Sequence, residues 1–115
     1  MGDPLYAEEK LTAAVYLMAT GRGNVKDRLA QAFTEFVPVS ESDLPEKFRS
    51  EFRWIRQALT TKEAKQVALI EGRVVEGVEG RIGATLATMR YEKAEEIARR
   101  LVRLSDELAA HNAAA

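Results

Sequence analysis

The stretch Glu92–Leu108, EKAEEIARRLVRLSDEL, decides how the chain folds. Ala94, Ile97, Ala98, Leu101, Leu104 and Leu108 recur at intervals of three and four, the repeat of one helix face. Glu92, Glu95 and Glu96 come early and Arg99, Arg100 and Arg103 later, the order of charge that a helix dipole favours. The segment therefore reads as an amphipathic helix whose apolar stripe must be covered by other elements of the chain. The residues after it, Ala109-Ala110-His111-Asn112 and three alanines, are expected to fray over 110–115, as is the start over 1–3.

Toward the N-terminus the pattern repeats. Asp3 followed by Pro4 is a helix start, and Ala7, Leu11, Ala14, Val15 and Met18 keep helical spacing until Gly21 and Gly23, which predicts a first helix over about Pro4–Ala19. Asn24 is placed to cap a second helix carrying Val25, Leu29, Ala32, Phe33 and Phe36 inward, and Pro38 stops it. After the polar turn Val39–Asp43, Pro45 suits the first turn of a third helix with Phe48, Phe52, Ile55 and Leu59 on one face. Trp54 lies off that stripe, so it either widens the buried face or marks a contact surface.

Residues 60–80 admit two readings. Val67–Ile70, Glu71-Gly72 and Arg73–Val75 fit a β-hairpin around 66–76 with a two-residue turn. Ala64, Ala68, Glu71, Val75, Val78, Ile82, Leu86 and Met89 fit one long helix from about Lys62 to Met89, despite four glycines. The helix is the reading adopted. It would place Glu71 on the apolar side as a buried carboxylate, whereas the hairpin turn would leave it solvated. The expectation is thus an all-α fold, a small four- to five-helix bundle forming a single domain over 1–115.

Composition agrees with a helical domain and narrows the chemistry. Apolar residues make up 46% and charged residues 30% of the 115, with no cysteine, so disulfides, thiolate metal sites and cysteine nucleophiles are excluded. Seventeen Lys and Arg against eighteen Asp and Glu leave no overall excess of positive charge to attract nucleic acid, so any phosphate binding must be local. The start Met1-Gly2-Asp3-Pro4 lacks a secretory pattern, and no apolar run approaches the ~20 residues that span a bilayer, so a cytoplasmic protein without a membrane partner is expected.

The segments Met18–Leu29 (MATGRGNVKDRL), Trp54-Ile55 and Glu79–Leu86 (EGRIGATL) give the chain a resemblance to a group of short uncharacterised bacterial proteins. The likeness covers most of the chain outside about 60–77. It implies a small bacterial protein and brings no activity, substrate or catalytic residue.

Two clusters carry candidate chemistry. In Gly21–Arg28 two glycines precede a helix start, where free amides and the dipole favour an anion that Arg22, Lys26 or Arg28 would clamp, with Gly23 and Asn24 giving close approach. The segment lacks the Gly-Lys-Ser/Thr ending of a P-loop. The plainer account has Gly21 ending one helix, Asn24 capping the next, and the charges solvated. Arg49, Arg53 and Arg56 form a basic ridge beside Trp54, for phosphates or an acidic partner, or else pair internally with Glu46 and Glu51.

Gly80, Ala84 and Ala87 share one helix face of small residues that suits close packing within the chain or against a second copy, or else the glycines of 72–83 record a loop and helix breaks. With Trp54, Tyr91 and Tyr16 the three small residues are the candidate interface. His111, four residues after Glu107, is one ligand pair and too few for a metal. Ser40, Ser42, Ser50 and Ser105 stand in no nucleophile elbow, and a carboxylate enzyme would have to draw on Asp and Glu residues that read as solvated faces.

The sequence therefore points to a non-enzymatic helical protein without cofactor or metal. It would act through protein contact, as an accessory or regulatory subunit or as a homo-oligomer. The alternative is a phosphate-recognising module binding nucleic acid or a nucleotide through Gly21–Arg28 and the Arg49/Arg53/Arg56 ridge.

Overall fold

A computed structural model describes residues 2–61 and 77–115. Five α-helices occur among them: α1 (Pro4–Thr20), α2 (Val25–Phe36), α3 (Glu46–Leu59), α4 (Gly77–Thr88) and α5 (Tyr91–Ala114). A single 3-10 turn, Glu41–Asp43, leads into α3. The chain is all-α, and no strand appears among the described residues. The hairpin around 66–76, the long-helix start at Lys62 and the surroundings of Glu71 all fall outside the described residues; α4 is helical over Gly77–Thr88.

Local chemistry fixes the helix ends. The Asp3 carboxylate accepts from the backbone amides of Leu5 and Tyr6 at 3.1 and 3.2 Å, with Pro4 in the first turn, so α1 starts where the Asp-Pro pair places it. It ends at Gly21, whose N–H donates to the Leu17 carbonyl at 2.7 Å. A Cβ at Gly21 would approach that carbonyl to 2.5 Å and the Gln31 side-chain oxygen to 2.8 Å, so only glycine lets α2 turn back this tightly.

The 3-10 turn ties two distant segments. Asp43 accepts from the Ser40 amide at 2.9 Å through Oδ2, and through Oδ1 from the Asp3 amide at 3.0 Å. The start of α1 is thereby fastened to the loop before α3.

Helix α5 is the spine of the bundle, packing against α1, α2 and α3, while α1 and α2 pair with each other and α4 lies on α2 and α3. Its stripe behaves as the spacing predicts: Ala94, Ile97, Leu101, Leu104 and Leu108 are fully buried, with Ala98 half-covered. Leu11 of α1, Leu29 and Phe33 of α2 and Phe52 and Ile55 of α3 meet it in one continuous core. Phe33, Phe36 and Phe52 form an aromatic chain across it, with centroids 5.0 and 6.1 Å apart. From α4, Ile82 and Leu86 close the same core.

The last turns of α5, where fraying is expected from the sequence, make contacts with α1. The helix continues through Ala114, and the Asn112 amide donates to the Pro4 carbonyl at 3.1 Å and to Glu8 at 2.9 Å. At the other end of the chain Asp3 caps α1 and bonds Asp43.

Candidate functional site

The turn at Gly21–Arg28 is built as a self-contained cap. The Asn24 side chain accepts from the Asp27 amide, and the Asp27 carboxylate accepts from the Asn24 amide, both at 3.0 Å, a reciprocal capping box. Gly23 has φ of 92°, the left-handed region that a side chain disfavours, and a Cβ there would collide with the Asp27 carboxylate. The helix start therefore already holds a negative group of its own.

The cations of this segment face different tasks. Arg28 lies half-buried with its guanidinium 3.4 Å from both the Met18 and the Asn24 carbonyls, so it closes the end of α1. Lys26 sits 4.6 Å from the centre of the Tyr91 ring, and Asn24 donates to the Tyr91 hydroxyl at 3.2 Å. Arg22 is exposed, and its carbonyl accepts from Gln31 at 3.0 Å. Gly21–Arg28 thus joins α1, α2 and the start of α5.

The basic ridge is divided in the same way. Arg53 makes a two-pronged bond to Glu41, with donor distances of 2.7 to 3.1 Å. The bond holds the Glu41 carboxyl below, and the Arg53 guanidinium above, its ordinary value. Arg49 donates to the Leu44 carbonyl at 2.8 Å. Arg56 donates to the Val37 and Val39 carbonyls at 3.2 and 2.7 Å and lies near the Phe33 and Phe52 rings.

Internal pairing was one of the two sequence readings, but its expected partners, Glu46 and Glu51, are corrected to Glu41 and three backbone carbonyls. Arg28 engages the first turn of α2 and Arg56 the chain just beyond its last, roughly 17 Å apart along twelve helical residues.

Glu51 pairs instead with Arg100 of α5, at 2.6 and 2.7 Å. That hydrogen bond holds the Glu51 carboxyl below the usual carboxylate range, against the opposing effect of burial. The Arg100 guanidinium also stacks 3.5 Å from the Trp54 ring centre, and Lys93 approaches the same ring at 4.5 Å. Trp54 is therefore half-buried under two cations from α5, an arrangement no spacing within α3 announces.

The small-residue face is split. Ala84 is 1% exposed inside its own chain while Ala87 is exposed, so these two do not present one contact surface. Ala84, an interface candidate from the sequence, is thus covered within its own chain. Tyr91 is half-exposed, and His111 stacks edge-on against Phe48 at 5.6 Å. No group of three or more metal-ligating side chains occurs among the described residues, and no helix among them is long and apolar enough to cross a membrane.

Uncovered apolar surface lies elsewhere. Leu5 and Tyr16 are 68% and 66% exposed, and with Glu9 and Thr12 they form one outward stripe of α1. Beside the end of α1, Met18, Ala98 and Val102 line a groove of about 550 Å³ rimmed by Arg99, Asp106 and Glu107. No family model matches the sequence, and neither a curated protein nor a solved structure matches it.

Proposed function

We propose that this chain is a small helical protein of the cytoplasm that works through protein contact, as an accessory or regulatory subunit or as a homo-oligomer. The observation that carries this reading is the outer stripe of α1, where Leu5 and Tyr16 remain two-thirds exposed on a helix whose opposite face is fully buried. A second apolar surface, the groove of Met18, Ala98 and Val102 between α1 and α5, carries charges of both signs at its rim.

The phosphate-binding alternative has weaker support, because Asp27 occupies the start of α2 and Glu41 the most exposed cation of the ridge. Light scattering tests the contact reading. A mass that rises above 12.8 kDa with concentration, or a complex with a cellular partner, is expected and is lost in Leu5→Glu/Tyr16→Glu while circular dichroism stays unchanged. A monomer at all concentrations with no partner, or a complex indifferent to both substitutions, overturns it.

A further inference from the structure

A second groove, between α3, the end of α4 and the start of α5, encloses about 550 Å³, within the range of small-molecule sites. Trp54, Ala58 and Met89 give it apolar surface, Thr88 a hydroxyl, and Arg90 and Lys93 positive charge. Among the described residues no carboxylate lines it. The larger groove between α3 and α5, about 720 Å³, differs in kind, since Glu51, Glu96 and Glu107 there offset its arginines.

The two cations differ in their engagement, Lys93 lying 4.5 Å from the Trp54 ring centre. Arg90 is exposed and has no ion-pair partner among the described residues, and Lys93 reaches Glu96 at a loose 3.5 Å. The unpaired charge of Arg90 and the loosely paired charge of Lys93, next to an aromatic and thioether surface, select for a molecule that is itself anionic at one end and apolar at the other.

We propose that this groove binds a small organic anion, its phosphate or carboxylate on Arg90 and Lys93 and its apolar body against Trp54, Ala58 and Met89. A nucleoside monophosphate and an aromatic carboxylic acid share this chemistry. The site goes beyond the contact surface on α1 and uses none of its residues.

Trp54 is the sole tryptophan, so its fluorescence reads the groove directly. The full chain is titrated with adenosine monophosphate, phenylpropanoate, their neutral counterparts adenosine and phenylpropanol, and inorganic phosphate, with calorimetry as a second readout. At least one organic anion should give a saturable change, with its neutral counterpart and inorganic phosphate each binding about tenfold or more weakly, a difference of about 1.4 kcal/mol. Which anion saturates separates the phosphate source from the carboxylate source. Arg90→Glu/Lys93→Glu, both at exposed positions, should abolish the response with helix content intact, and Arg22→Glu, outside the groove, should retain it. Absence of saturation at low-millimolar concentration overturns the proposal. Equal binding of the neutral counterparts or of phosphate alone, or binding that survives the charge reversal, overturns it as well.

Discussion

The Arg56 guanidinium is half-buried beside the Phe33 and Phe52 rings, and burial draws its pKa below the ordinary arginine value. It satisfies the Val37 and Val39 carbonyls, which lie beyond the end of α2 and have no helical donor. Replacing it by methionine keeps the packing volume but removes both bonds. Arg56→Met is expected to lose about 2 kcal/mol in urea denaturation, the cost of leaving such acceptors unmet. Arg53→Met, three residues earlier, breaks an exposed pair and should leave the midpoint nearly unmoved. The sequence shows both as members of one ridge; their partners come from Glu41 and from the chain beyond α2, so spacing within α3 could not tell them apart.

At the scale of elements, the chain's own punctuation sets most boundaries. Asp3-Pro4 starts α1, Gly21 ends it, and Asn24 starts α2 within a residue of the positions that capping chemistry predicts. These signals are legible because each acts over three or four residues. Asn24 has a second role that is not local, its bond to Tyr91 across 67 residues. Asn24→Ala should therefore cost about 1 to 2 kcal/mol, at the upper end for a lost N-cap, whereas Asn24→Asp, which keeps the cap and loses the amide donor, should cost less. Thermal denaturation of the two variants measures the difference. The C-terminal end of α5 shows the limit of local reading, because Asn112 is held by Pro4 and Glu8, residues at the other end of the sequence.

At the scale of the whole molecule, α3 and α5 are joined by Glu51, Arg100 and Trp54 in addition to the core. Arg100 holds the Glu51 carboxyl below its ordinary value, so the stabilisation is complete above the usual glutamate range and disappears as the pH falls through the lowered value. The urea midpoint should accordingly fall on acidification below that range. In Glu51→Gln it should begin lower and fall less. An acid response unchanged by the substitution would assign the loss to other carboxylates.

The apolar periodicity determined the all-α class, four helix faces and most of the core, because burial of a stripe at helical spacing has one economical solution when several such stripes share a chain. Sequence also placed the caps. Only the tertiary structure decided what each charged and small residue does. Glu41 took Arg53, Arg100 took Glu51 and Trp54, Ala84 went inside, and the positive groove was left at Arg90 and Lys93. The physical reason is one of range. Hydrophobic periodicity and capping are written in neighbouring residues, whereas an ion pair, a stacked cation or a groove exists only when segments tens of residues apart are brought within a few ångströms.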